Sequence, residues 1–235
     1  MSAPGDRGAR RPVAVVFDVN ETLFALDHVG DAFEAIGLPG SALDLWFART
    51  LSDGFALAAT ADFATFSDLG LYHLGRITRS FGLEHDEATL EQVLGAFEEL
   101  DAHQDVAPAL QRLKEAGTRI ATLTNGSADI TRTLLRRHGL EGLVERCFAA
   151  AEAGAWKPRA EPYRFAAQEL RLAPADCAMV AVHSWDVHGA KRAGLTAAWV
   201  SRLEGRPVPP MHDADITARS LNEAIDGLLA LPPAT

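Results

Sequence analysis

Cysteine is nearly absent: the 235 residues hold only Cys147 and Cys177, both on apolar segments and at no metal-like spacing. That excludes a disulfide framework and a cysteine-built metal centre, and two buried free thiols in a reducing compartment are expected instead. Positive charge is also scarce, with 22 Lys and Arg against 32 Asp and Glu and a net charge of -10. This balance argues against nucleic acid and anionic membrane as partners, while a small anionic organic substrate stays open because a local basic pocket can exist on an acidic protein. No apolar run is long enough to span a bilayer. The opening residues 1–11 carry arginines with no apolar stretch behind them, which reads as a flexible tail rather than a signal peptide. A cytoplasmic protein is therefore expected. No internal repeat or low-complexity segment is present, and 48% hydrophobic with 23% charged residues is ordinary globular composition. The length suits one sizeable domain, or a core domain carrying an insertion.

What the chain does contain is organised around Val13-Ala-Val-Val-Phe-Asp18-Val-Asn-Glu-Thr22. An apolar run without polar alternation predicts a buried central strand of a parallel sheet, ending in an aspartate. From residue 28 to about 100 only helical patterns follow: 31–36, then 42–59 capped by Ser41, a helix from Ser67 to about 81, and one opened by Asp86. A helical block between the first strand and the next is an inserted cap, here 27–101, with the core made of 12–26 and 102–235. From Val106 strands and helices alternate: helix 107–116, strand 119–124, helix 128–138, strand 146–150, helix 161–170, strand 178–182, a helix ending at Ala193, strand 197–200, and a terminal helix 216–229. This pattern predicts an α/β fold, a doubly wound, mostly parallel sheet with right-handed crossovers.

Four polar signals fall at equivalent strand ends: Asp18, Thr124-Asn125, Lys157 and Asp186. Singly, each has an ordinary explanation as a turn or helix cap or a solvated loop charge. Together they stand where a parallel sheet gathers its ligand groups. A lysine between Asp18 and Asp186 would keep both carboxylates ionised. Backbone amides after Asp18 and at the helix start after Asn125 would hold the anionic part of a substrate.

These stretches resemble the haloacid dehalogenase (HAD) superfamily of hydrolases over nearly the whole chain, the helical block standing in the place of that superfamily's cap. The resemblance implies a HAD-like Rossmann core, with Asp18 as nucleophile, Thr124 as the motif II hydroxyl, Lys157 as the motif III cation and Asp186 as the motif IV acid. Most of the superfamily are phosphatases with a second Asp two residues after the nucleophile. Here that position is Asn20, an amide that cannot act as acid or base at neutral pH. The additional motif IV acid for Mg²⁺ is replaced by Val182, leaving Asp18 and Asp186 as a thin oxygen set. The chain is more similar to the type II 2-haloacid dehalogenases, which use no metal or other cofactor. That branch implies Thr22 as part of the catalytic loop, Asn125 and Trp185 beside the departing halide, and Thr124 with the amides of Val19 and Asn20 on the substrate carboxylate, Tyr163 supporting them. It also implies a homodimer as a possible assembly.

Three positions depart from that branch. Its Ser and Asn before the Trp-Asp pair are Ala181 and His183, so His183 is expected to serve as base partner of Asp186. Its cap arginine is Phe47, with Arg49 as the nearest replacement, while Phe47 and Trp46 read as cap core. Its aromatic in the first loop is Asn20. The expected activity is metal-free hydrolysis of small 2-haloalkanoic acids through an aspartyl ester. The rivals are a Mg²⁺-dependent phosphatase or phosphotransferase and a catalytically idle binding protein of the same fold.

Overall fold

In the computed structural model, which describes residues 9–233, β1 (Ala14–Phe17) is fully buried and lies in the middle of a six-stranded parallel sheet. The other strands are β2 (Arg119–Thr124), β3 (Arg146–Ala149), β4 (Cys177–Ala181), β5 (Thr196–Val200) and β6 (Ile216–Ala218), in the spatial order β3-β2-β1-β4-β5-β6. Phe17 pairs with Thr122 on one side and Val180 on the other, so β1, β2 and β4 end together. The order reverses about β1: β2 and β3 lie to one side, and the chain then crosses to β4 on the other. A crevice opens at such a reversal, beyond the carboxyl ends of the strands.

The β-period explains why these strands carry no polar face. Val15, Phe17, Ile120, Val180 and Val200 pack on one layer with α5 (Val106–Glu115) and α9 (Leu221–Ala230). Ala14, Val16, Leu123, Met179 and Trp199 pack on the other with α7 (Ala160–Glu169) and α8 (Ser184–Ala193). Successive residues point to opposite faces, so a sheet covered on both sides needs an uninterrupted apolar run.

The inserted block comprises α1 (Asp27–Ala35), α2 (Ser41–Thr60), α3 (Phe66–Ser80) and α4 (Glu87–Gly95). Its centre is Trp46, fully buried, with Phe33, Phe66 and Phe97 at ring distances of 5.6 to 5.8 Å. The indole Nε1 donates to the Gly70 carbonyl at 2.7 Å, and a Cβ at Gly70 would stand 2.9 Å from the Trp46 ring, so glycine is what lets α3 approach. Phe24 and Ala102 form an antiparallel bridge, which brings the outgoing and returning connections side by side.

Several local expectations need correction. The cap of α3 is Thr65, not Ser67: its hydroxyl and the Asp68 carboxylate form a reciprocal capping box. Asp86 does cap α4, accepting from the Thr89 amide. Helix α1 begins at Asp27, earlier than residue 31. The segment predicted as the start of the terminal helix contains β6, paired with β5 through Ala198–Ile216 to Val200–Ala218, and the helix starts only after the Ser220 cap. Three residues are too few to show a strand period beside a helical one. Residues 1–8 of the expected tail lie outside the described residues, but Arg10 pairs with Asp176 at 2.7 Å and the Arg11 amide donates to Pro232.

Between α5 and α9 the sequence reads α6 (Ala128–Arg137), whose N-cap Ser127 accepts from the amides of Asp129 and Ile130. That cap sets the start of α6 directly beyond the end of β2, next to Asp18's strand. No helix among the described residues is long and apolar enough to cross a membrane.

Candidate active site

Asp18 follows β1 immediately and is 4% exposed. Its Oδ1 accepts from Lys157 Nζ at 2.8 Å, and its Oδ2 accepts from the Thr22 hydroxyl at 2.7 Å. The tight turn that brings Thr22 back is closed by the Leu23 and Phe24 amides, both donating to the Val19 carbonyl. Thr22 also accepts from the Val182 amide at 3.2 Å, so one hydroxyl ties the first loop to the end of β4. Within this turn Glu21 takes a left-handed φ of 61°, unusual for a residue with a side chain. Its backbone is held there by the Phe24 carbonyl and by His103 Nε2, 3.0 Å from the Glu21 carbonyl. The amides of Val19 and Asn20 have no acceptor among the described residues. They remain free to bind an anion.

Lys157 is fully buried and spends all three ammonium protons: on Asp18 Oδ1, on Asp186 Oδ2 at 2.6 Å, and on the Leu123 carbonyl at 2.8 Å. Its backbone is clamped by Asn125, whose side-chain carbonyl accepts from the Lys157 amide at 2.8 Å while its NH₂ donates to the Lys157 carbonyl. Asp186, in the first turn of α8, is equally buried, and its other oxygen accepts from the Tyr163 hydroxyl at 2.5 Å. Burial alone would drive the lysine toward neutrality, but the two carboxylates outweigh it and hold the ammonium above its ordinary value. Burial pushes the Asp18 carboxyl up, yet Lys157 and His183 together reverse this and hold it well below the usual carboxylate range. For Asp186 burial prevails, aided by the charge of Asp18, and its carboxyl is raised. Asp18 is thus the more firmly ionised of the pair.

His183 closes the site from the β4 side. Its Nδ1 lies 3.3 Å from Asp18 Oδ2 and its Nε2 lies 2.9 Å from a Glu21 carboxylate oxygen. Burial favours the neutral ring, but hydrogen bonds to the two carboxylates push the imidazole up to about 10. The expected His183–Asp186 partnership is therefore not what the side chains make. Asp186 is satisfied by Lys157 and Tyr163, and His183 by Asp18 and Glu21. Tyr163, expected near the substrate carboxylate, is fully buried behind Asp186 and acts on that residue. Gly189 is what allows it there. A Cβ at Gly189 would stand 2.5 Å from the Tyr163 oxygen and 2.6 Å from the Pro158 carbonyl. Gly189→Ala is expected to cost about 1–3 kcal/mol in urea unfolding and to loosen the Tyr163–Asp186 hydrogen bond.

The cap supplies a wall of aromatic rings. Phe47 lies 6.3 Å from the His183 ring, Trp185 stacks on that ring at 5.1 Å, and Phe55 meets Trp185 edge-on at 5.2 Å. Lys157 Nζ is 5.6 Å from the centre of the half-buried Trp185 ring. Phe47 packs on Trp46 and Phe66 of the cap core at 6.2 and 6.0 Å, as expected, and its ring also reaches His183, while Trp46 both centres that core and lines the cleft. Arg49 is two residues on, about 200° around the helix from Phe47. It forms no hydrogen bond or ion pair with any site residue among those described, and it is absent from the cleft wall. Beside Asp18 runs a cleft of about 510 Å³ between cap and core, its walls including Val19, Asn20, Thr124, Asn125 and Phe66. Thr124 Oγ1 accepts from the Gly126 amide at 2.9 Å, which turns the chain from β2 into α6. Asp18 itself is not on this wall; Lys157, Thr22 and His183 cover its oxygens. Reading strand ends missed Glu21, Phe47 and Phe55. The one available signal for Glu21 was a carboxylate in the same turn as Asp18.

This arrangement provides an ionised, desolvated carboxylate, a buried cation between two acids, free amides and an aromatic-walled pocket. The chain is 28% identical over 202 residues to an (S)-2-haloacid dehalogenase 4A of Burkholderia cepacia, covering 83% of this chain and 84% of the relative. It is 30% identical over 193 residues to the (S)-2-haloacid dehalogenase of Xanthobacter autotrophicus, covering 81% and 75%. The solved L-2-haloacid dehalogenase of Xanthobacter autotrophicus superimposes with a TM-score of 0.84 at 25% identity, over 92% of this chain and 97% of that one. Residues 13–194 match the model of the haloacid dehalogenase-like hydrolases, and the chain belongs to that family.

Proposed function

We propose that the protein hydrolyses the carbon–halogen bond of small 2-haloalkanoic acids through an ester on Asp18, without a metal. The observation that carries this reading is the state of Asp18. It is a buried carboxylate, with a lysine on one oxygen and a threonine and histidine on the other, and position 20 beside it offers an amide instead of an acid. A phosphate ester needs a leaving-group acid and a divalent cation. Here Asn20 can supply no proton, and the Lys157 ammonium fills the space between Asp18 and Asp186. Several relatives point the same way by their names, among them (S)-2-haloacid dehalogenases of Burkholderia cepacia and Xanthobacter autotrophicus and a haloacetate dehalogenase of Moraxella. A cytoplasmic location belongs to the same reading.

In this mechanism the Val19 and Asn20 amides and Thr124 hold the substrate carboxylate at the mouth of the Asp18 pocket. An Asp18 oxygen attacks the halogen-bearing carbon from the side opposite the halide, with inversion. The C–O bond forms as the C–X bond breaks, and the halide leaves with the electron pair toward Asn125 and Trp185, near the Lys157 charge. Water then attacks the ester at Asp18 Cγ, releasing the 2-hydroxy acid and restoring the carboxylate. Phe47, Phe55 and Trp185 limit the water that can enter.

The test is incubation with 2-chloropropionate in the presence of EDTA, reading halide release and the mass of the Asp18 peptide, with p-nitrophenyl phosphate and Mg²⁺ in a parallel arm. Chelator-resistant halide release with an ester on Asp18 is the expected outcome. Phosphate release that EDTA abolishes, without halide release, would establish the phosphatase reading instead. No turnover in either arm would favour the binding protein.

A further inference from the structure

We propose that Glu21 is a positioning residue which, through His183, ties water activation to the charge of Asp18: the imidazole keeps its proton while Asp18 is a carboxylate and releases it once Asp18 becomes an ester. This rests on the ester mechanism above. The geometry is a line of three groups, Glu21 carboxylate to His183 Nε2 at 2.9 Å and His183 Nδ1 to Asp18 Oδ2 at 3.3 Å. Both ring nitrogens are engaged by carboxylates, which suits an imidazolium donating from each. Trp185 stacks on the imidazole at 5.1 Å, and Phe47 from the cap lies 6.3 Å from it. Glu21 is 22% exposed on its side chain and its backbone is fixed in the left-handed region by Phe24 and His103, so its carboxylate is delivered by a rigid turn and not by a mobile loop.

Among the described residues the carboxylates hydrogen-bonded to His183 are Asp18 and Glu21; Lys157 lies one step away on Asp18 Oδ1, Glu204 accepts from the Ser184 amide that follows His183 in the chain, and α2 and α8 add the uncharged rings of Phe47 and Trp185. While both carboxylates are ionised the proton is held well above the ordinary histidine range, so the substrate-free ring is no base at neutral pH. Alkylation of Asp18 removes one of the two negative charges, and the remaining hydrogen bond to Glu21 fixes the proton on Nε2. Nδ1, which lies 3.3 Å from Asp18 Oδ2, then carries a free lone pair. This is the orientation a general base needs, with a carboxylate holding the far nitrogen.

The protons balance. In alkylation the C–X bond breaks, X⁻ leaves, and His183 releases its Nδ1 proton to solvent. In hydrolysis one proton of the attacking water passes to Nδ1, the hydroxyl adds to Asp18 Cγ, and the second proton moves to the departing alkoxide as the Asp18 carboxylate re-forms. Each turnover releases one halide and one proton, the stoichiometry of haloacid hydrolysis, and returns the imidazolium.

Rapid-quench kinetics on wild type and Glu21→Gln, with the ester followed by mass, read this directly. Glutamine keeps the shape of the turn while removing the charge. The variant is expected to keep its halide burst of one equivalent per site at close to the wild-type rate. Steady-state turnover at pH 7 should fall about 100-fold, the scale of a general-base contribution, ester should accumulate on Asp18, and the acid limb of the profile should move to lower pH. Unchanged turnover with an unchanged profile would overturn the proposal. So would parallel loss of burst and turnover in a variant whose circular dichroism matches wild type, because Glu21 would then act before the ester forms. Titration of ¹⁵N-histidine protein, substrate-free, separates the two readings: His183 should lose its proton at a lower pH in Glu21→Gln than in wild type. If wild type makes no ester, the dehalogenase reading fails; if the His183 titration is the same in both proteins, the Glu21 relay fails whatever the reaction is.

Discussion

Asp18→Asn is expected to abolish halide release from 2-haloacids, by about 10⁴-fold or more, the scale seen when a covalent nucleophile is removed, while the protein stays folded. The amide is isosteric, and its hydrogen bonds can be redrawn. Its oxygen can face Lys157 Nζ and accept as Oδ1 does now. Its NH₂ then faces Thr22 Oγ1, which can accept, and His183 Nδ1, which can accept once the ring is neutral with its proton on Nε2 toward Glu21. Stability should fall by only about 1–3 kcal/mol, the range for altering a buried charged hydrogen bond, and Lys157 keeps Asp186 as counter-ion. Ion chromatography of halide and thermal unfolding of the same preparation check both halves. A variant that still turns over at the wild-type rate would remove Asp18 from the mechanism.

The parts of this site that could be read from sequence share one property: they sit at the ends of apolar runs. Asp18, Thr124, Lys157 and Asp186 each follow a buried strand, and a parallel sheet gathers its strand ends whatever the side chains are. The same apolar runs made the α/β class and the inserted helical block legible before any contact was known. What could not be read depends on distances between elements. His183 was expected to partner Asp186 because it replaces the branch's Asn with a more basic ring, yet the first turn of α8 carries Asp186 toward Lys157 and Tyr163 while His183 pairs with Asp18 and Glu21. Tyr163 was expected at the substrate carboxylate from the resemblance alone, but the small Gly189 lets its ring pass behind Asp186. Arg49 and Phe47 differ only by their angle around α2, and that angle matters only once the docking of the cap is known. Docking is set by a close approach at Gly54, where a Cβ would strike the Trp156 ring, and by the Trp156 Nε1 hydrogen bond to Ala64 at 2.8 Å. Neither leaves a periodic signature. The strand β6 was lost for a plainer reason, being three residues long beside a well-patterned helix.

Lys157→Met should be the most damaging single substitution for the fold of the site. Lys157 has no substitute: Lys114 and Lys191 are the only other lysines in the chain, and Lys191 is committed to Asp215 at 2.7 Å. Methionine fills a similar volume but leaves Asp18, Asp186 and the Leu123 carbonyl without their shared donor. Breaking a buried ion pair from one side costs about 3–5 kcal/mol, because the stranded charge cannot return to water. The sign of the pH dependence follows from which acid yields. Asp186 already has its carboxyl raised by burial and by the charge of Asp18, and without Lys157 nothing but Tyr163 opposes that rise. A group whose folded-state value lies above its unfolded one destabilises as pH rises through and beyond those values, and the deficit shrinks as the group protonates on acidification. Asp18 retains His183 and stays ionised. The variant should therefore be far less stable than wild type at pH 7 and closer to it near pH 5, in paired urea titrations with equal slopes. Halide release should be lost at both pH values, since protonating Asp186 restores neutrality without restoring the cation that orients Asp18. A loss below about 1 kcal/mol at pH 7, well under the cost of a broken buried pair, would mean that the two carboxylates do not both carry charge in the folded protein.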